Sequence, residues 1–167
     1  MKSLYNPFNF VVNAVHRDLE PVPYYPNYGM KIWVGRYGSG KTLSLVLYTL
    51  QNLLQYPEVI LISNISIKYK DLKNRVYIYN TVQEMLDILI LSLKNDKAKG
   101  YIIVCDEIQL VIEKMAQMGN KDLLAILSQL RKLHVEILGT CQLFNKLNKD
   151  IRDYLIQNGQ IINCTTI

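Results

Sequence analysis

The consecutive residues Gly35-Arg36-Tyr37-Gly38-Ser39-Gly40-Lys41-Thr42 reproduce the spacing G-x-x-x-x-G-K-[ST] in full. Each residue type answers a requirement of holding phosphate. The glycines let the backbone curl so that successive N–H groups converge on phosphate oxygens, and a helix opening at the end of the loop adds unpaired N–H groups and the positive end of its dipole. Lys41 supplies a point charge able to bridge β- and γ-phosphates, and the Thr42 hydroxyl can ligate Mg²⁺. The segment predicts a loop that binds ATP with Mg²⁺; a glycine-rich turn that binds nothing is disfavoured by the strand and helix expected on either side.

Ile102-Ile103-Val104-Cys105 is an apolar run that ends directly in Asp106-Glu107. Ligands of open α/β sheets bind at the carboxyl ends of strands. Asp106 is thus placed to hold Mg²⁺, directly or through water, and Glu107 to orient and deprotonate the attacking water. Alone, such a pair is as readily a solvated strand end; downstream of a complete phosphate loop it reads as a Walker B motif. The adjacent glutamate favours a hydrolysing ATPase over a GTPase switch. A second apolar run closes with Thr140-Cys141-Gln142, and Gln142 is the residue expected to reach γ-phosphate or water, the alternative being an ordinary surface glutamine. Two arginines can donate to the γ-phosphate of a neighbouring subunit: Arg131, just before that run, and second to it Arg152, in Asp150-Ile151-Arg152-Asp153. A surface salt bridge would explain either. His16 and His134 have no partners at metal-ligand spacing.

These groups need elements to carry them. Residues 30–35 form a short apolar run ending in glycine, and residues 41–56 place Leu43, Leu47, Leu50 and Leu54 at helical spacing, a stripe expected to face the core. Residues 59–65 and 76–79 are β-branched runs, and Thr81 with Glu84 forms a T-x-x-E capping box that starts a helix through residue 93. The run 101–105 suits a strand covered on both faces. Residues 123–134 read as a helix striped with Leu123, Leu127 and Leu130, followed by strands at 135–141 and 160–166 that flank a helix at 149–157. Alternation of this kind is the pattern of an α/β domain with a mainly parallel central sheet flanked by helices. Upstream, residues 1–29, rich in proline and tyrosine, read as an irregular arm; residues 30–167 form the ATPase domain.

The bulk properties are permissive. A chain of 167 residues, 50% hydrophobic, can bury one sizeable core. The net charge of +5, from lysines spread along the chain, allows contact with nucleic acid or acidic lipid without demanding it. Cys105, Cys141 and Cys164 lack metal-ligand spacing and lie in or beside apolar β-like runs, which fits reduced, buried thiols and a cytoplasmic setting. No apolar stretch is long enough to cross a bilayer, because Asp106 and Glu107 interrupt one run and Lys94 closes another.

Taken in order, the phosphate loop, Asp106-Glu107, Leu130-Arg131-Lys132-Leu133-His134, Thr140-Cys141-Gln142 and Ile151-Arg152-Asp153 resemble the zonular occludens toxin-like branch of FtsK/HerA-type ATPases, from about residue 30 to the end. The order arginine, strand, T-x-Q, Ile-Arg after the Walker B motif is its most specific part. The resemblance implies a P-loop NTPase with strand order 5-1-4-3-2, and a DNA-translocating or packaging motor of viral or phage type working as a ring of identical subunits, with capsid or assembly proteins as further partners and the host cytoplasm as its place. Relatives that assemble filamentous phage commonly carry a transmembrane segment after the ATPase domain; these 167 residues hold no such stretch, as expected of a packaging-type motor or of a shortened chain. Two other functions stay open: an ATPase switch or assembly factor acting on protein or membrane partners without DNA, and a module that binds nucleotide without hydrolysing it.

Overall fold

Short β-branched runs and the helices between them assemble into a six-stranded sheet in which every pairing is parallel. The computed structural model describes residues 22–165 apart from 70–71, 73, 95–96 and 118–128. Its strands are β1 (Gly29–Val34), β2 (Val59–Ser63), β3 (Val76–Ile78), β4 (Gly100–Cys105), β5 (Val135–Cys141) and β6 (Gln160–Asn163). Four helices are described: α1 (Lys41–Gln55), α2 (Val82–Leu93), α3 (Ile108–Gln117) and α4 (Lys149–Asn158), with a 3₁₀ turn at Phe144–Lys146. The order across the sheet is β3-β2-β4-β5-β1-β6. This is the expected five-strand order with one addition, the short, partly exposed β3, which pairs outside β2. The phosphate loop after β1 and the acids after β4 are therefore separated by one strand, β5.

Alternate residues of the strands supply two apolar clusters, one on each face. On one face Trp33, Leu61, Ile102, Val104 and Leu138 pack with Leu45 and Leu53 of α1. Across the sheet Ile32, Ile62, Ile103 and Ile137 pack with Met85 and Leu89 of α2, Ile108 and Ile112 of α3, and Ile151 and Leu155 of α4. All of β4 and β5 is buried, as strands covered on both faces require.

The T-x-x-E segment caps helix α2 at Thr81, with the return bond one residue before the cap. Thr81 accepts the N–H of Glu84 at 3.2 Å, and the Glu84 carboxylate reaches back to the N–H of Asn80 at 2.8 Å. The stripe assigned to α1 is corrected: Leu43, Leu47 and Leu54 are exposed, whereas Leu45, Thr49, Asn52 and Leu53 are buried. Trp33 Nε1 donates to Ser44 Oγ at 2.9 Å and fixes the rotation of the helix against β1. Half of the helix expected at 123–134, residues 123–128, lies outside the described residues, and residues 130–134 form a turn, with His134 at φ 52. Helix α3 was not anticipated.

Of the arm, residues 22–28 are described and have no regular structure, yet they are fastened to the domain. Tyr25 is fully buried, with its N–H on the Lys99 carbonyl at 2.7 Å and its hydroxyl donating to the Glu136 carboxylate. Glu136 also accepts from Tyr48 at 2.9 Å and lies 3.5 Å from Lys31 Nζ. Burial first, then the Glu136 charge, pushes both tyrosine hydroxyls to higher pKa.

Candidate functional site: a phosphate loop facing two acids

The loop from Gly35 to Thr42 takes its shape from glycines used in two ways. Gly38 and Gly40 have φ of +76 and +77, the left-handed region that glycine enters without steric cost, and a Cβ on either would meet nothing within 4 Å. Gly35 is needed for closeness: a Cβ there would stand 2.3 Å from the Cys164 carbonyl oxygen and 2.6 Å from Ser39 Oγ. Gly40 is also the residue that caps α1, and it offers no side chain to the first turn. The N–H groups of that turn are left for an anion, with the dipole favouring one. Lys41 Nζ lies on the Arg36 carbonyl at 2.8 Å, so its charge is held over the loop. Tyr37 at the crest is 91% exposed.

Thr42 and the two acids come together from opposite sides of β5. Thr42 Oγ1 donates to Asp106 Oδ1 at 3.1 Å, although the two are 64 residues apart. Thr140, buried at the end of β5, donates to the same oxygen at 2.6 Å and accepts the N–H of Glu107 at 2.9 Å. From β2, the Asn64 amide accepts the Asp106 N–H at 2.8 Å and donates to the Asp106 carbonyl at 3.0 Å. Glu107 sits at φ +55, which for a residue with a Cβ costs about 1–2 kcal/mol and must be held by its surroundings.

Lys41, Thr42, Asp106, Glu107, Thr140 and Gln142 line a cavity of about 370 Å³, together with Tyr37, Gly38, Gly40 and Leu43. A second cavity, about 310 Å³, reaches Asp106 and Glu107 from the side of Asn64, Asn80 and Lys114. The donor set suits Mg²⁺, which takes one or two carboxylates and hydroxyl oxygens and leaves its other positions to phosphate and water. A hydroxyl and a carboxylate oxygen within 3.1 Å of each other, beside a loop open to phosphate, meet that need.

Neither arginine lines this cavity. Arg131 belongs to the turn before β5, at the opposite end of that strand, with its guanidinium 5.5 Å from the centre of the Tyr28 ring. Arg152, on the first turn of α4, donates to the Asn145 carbonyl at 2.9 Å. His134 stacks on Tyr24 and has Nδ1 2.9 Å from the Tyr25 carbonyl oxygen, so it serves the arm; His16 lies outside the described residues. Cys105 and Cys141 are buried, and desolvation pushes the Cys105 thiol up to about 11, which keeps it protonated and unreactive. Sequence reasoning missed Asn64 and gave Thr140 no separate role. An asparagine one residue beyond a strand is too common a strand end to signal anything alone.

The model of the zonular occludens toxin (Zot) family matches residues 29–167, the whole chain apart from the arm. The chain belongs to the Zot family. It is a P-loop ATPase, as the loop and sheet already indicated. Two solved structures share the fold of this Zot domain. PCH-2 of C. elegans is 20% identical with a TM-score of 0.51, over 81% of this chain and 34% of that one. The cytoplasmic domain of the type VII secretion ATPase EccC of Thermomonospora curvata is 13% identical with a TM-score of 0.55, over 83% of this chain and 19% of that one. The Zot chain spans well under two thirds of either. No curated protein matches it in sequence. Among the described residues no helix is long and apolar enough to cross a membrane.

Proposed function

We propose that this chain is an ATP-driven motor that translocates or packages DNA in the cytoplasm as a ring of identical subunits, with capsid or assembly proteins as further partners. The observation that carries the reading is the division of its functional groups. Lys41, Thr42, Asp106, Glu107 and Gln142 line one cavity, while Arg131 stands at the far end of β5, away from that cavity, which supports a role toward a neighbouring subunit. The exposed leucines Leu43 and Leu47 begin at the mouth of that cavity and favour a protein neighbour over water. For DNA, the support is the net charge of +5 and the order Arg131, strand, Thr140-Cys141-Gln142, Ile151-Arg152, which resembles DNA-moving members of the wider class.

In this reading the loop N–H groups and Lys41 hold the β- and γ-phosphates of ATP. Thr42 and Asp106 would hold Mg²⁺, which when bound offsets negative charge on the phosphate oxygens. Glu107 takes a proton from water as the water oxygen bonds to the γ-phosphorus and the bond to the bridging β–γ oxygen breaks, giving ADP and phosphate. Gln142 orients that water or the γ-phosphate.

The test is the ATPase rate with and without double-stranded DNA over a range of salt. A severalfold stimulation that fades steeply as salt rises is expected, because phosphate contacts release counterions. A rate indifferent to DNA at low salt would remove the motor reading and leave an ATPase acting on protein or membrane partners.

A further inference from the structure

The two acids follow β4, but what holds them there comes from its neighbours. Beyond Cys105 the backbone leaves the ladder and bends through Asp106 into Glu107 at φ +55. Asn64 follows the last residue of β2, its own N–H still bonded to the Val104 carbonyl at 3.3 Å. Its side-chain amide then spans the Asp106 backbone, accepting from the N–H at 2.8 Å and donating to the carbonyl at 3.0 Å. A side chain here does what the next rung of the ladder would have done. Both bonds are to main chain, so they set where Asp106 and Glu107 stand without touching either carboxylate.

We propose that Asn64 is a positioning residue for hydrolysis, clamping the Asp106 backbone from β2 while Thr140 clamps the Glu107 N–H from β5, so that Glu107 is held in its left-handed conformation beside the phosphate loop. The inference rests on the reading of Glu107 as the base. Its logic is that of a vice. With both jaws, the bend between β4 and α3 has one geometry; with the Asn64 jaw removed, Glu107 can relax toward negative φ, and its carboxyl swings away from the side of Thr42 and Lys41. Misplacement of a catalytic group by about 1 Å is enough to slow a reaction by roughly 10²-fold. Nucleotide binding draws instead on the loop and Lys41, which Asn64 does not touch, and the Asp106 carboxylate keeps its own partners Thr42 and Thr140 without Asn64, so turnover and affinity should separate. The amide is specifically required, because it alone among small side chains gives a donor and an acceptor in one plane; aspartate keeps the acceptor and loses the donor.

Steady-state and single-turnover hydrolysis by the full chain test this. Asn64→Ala should lower kcat by about tenfold or more while KM for ATP and the affinity for ATP measured at equilibrium stay within about twofold. Asn64→Gln has room in the cavity of about 310 Å³ that Asn64 lines, and should regain part of the rate, whereas Asn64→Asp should not. In a Glu107→Gln background the alanine change should alter the small residual rate by less than about twofold, since the base it positions is already gone. An Asn64→Ala chain that binds ATP and keeps kcat within about twofold of wild type would overturn the inference, and so would an equal fold-loss in both backgrounds. Normal turnover by Glu107→Gln alone would overturn the assignment of the base, a result read without reference to Asn64.

Discussion

Lys41 is the cation that lines the cavity, its Nζ 2.8 Å from the Arg36 carbonyl, and in the proposed reading it exchanges that oxygen for phosphate. Hydrogen bonds to charged groups are worth about 1.5–3 kcal/mol each. Lys41→Ala should therefore weaken ATP binding by roughly 10–100-fold. The fold should survive, because the side chain packs against nothing in either apolar cluster. Titration calorimetry checks the first part and circular dichroism the second; undiminished affinity in a folded variant would remove the loop as the phosphate site. At this scale legibility depended on distance along the chain. The loop residues are adjacent, so their spacing is itself the signal. Asn64 acts on a residue 42 positions away and Thr140 on one 34 positions away, and neither partnership exists until the sheet brings β2, β4 and β5 side by side.

Helix α1 shows why an element can be placed correctly and turned wrongly. Leucines at 43, 45, 47, 50, 53 and 54 make two overlapping stripes, and counting apolar residues does not choose between them. The choice is made by partners outside the helix, Ser44 on Trp33 and Asn52 beside Asn27 at 3.1 Å, which turn the Leu45–Leu53 side to the sheet. Strand β4 was legible because burial on both faces leaves it uniformly apolar. The arm was not, since its hold comes from single tyrosines without period. Tyr25, Tyr48 and Tyr79 each carry a raised pKa, caused first by burial and then by Glu136, Glu136 and Cys105 in turn. In the folded state they keep protons that the unfolded chain releases above its ordinary value of 10.0. The unfolded state then binds fewer protons than the native state, so stability is intact below that pH and falls as pH rises through it. Urea midpoints should drop between about pH 8 and about pH 10.5, and Tyr25→Phe should make the drop shallower. A Tyr25→Phe chain with the same alkaline slope as wild type would show that Tyr25 is not one of the groups responsible.

At the level of the whole molecule, β5 separates the cavity from Arg131. The strand has seven residues, so at about 3.3 Å per residue Arg131 stands roughly 20 Å from the Thr140–Gln142 end. No rotamer of an arginine covers that distance, and if Arg131 serves catalysis it serves a neighbour. Arg152 is the weaker choice, because its guanidinium already bonds the Asn145 carbonyl next to the Gln142 loop. An arginine supplied in trans is worth about 10³–10⁵ in rate, far beyond the ~1 kcal/mol ceiling usual for a surface ion pair. Arg131→Ala should accordingly lose most turnover while binding ATP normally, the opposite of Lys41→Ala. Mixing the two variants distinguishes a shared site from a private one. A subunit with a sound loop but no arginine, placed beside a subunit with a sound arginine but no loop lysine, completes one working site between them. Activity should return in the mixture, and the wild-type rate per subunit should rise with protein concentration as neighbours are gained. If assemblies shown to contain both variants stay inactive, or if the wild-type rate per subunit is independent of concentration down to the monomer, the site is complete within one chain and Arg131 is a surface residue.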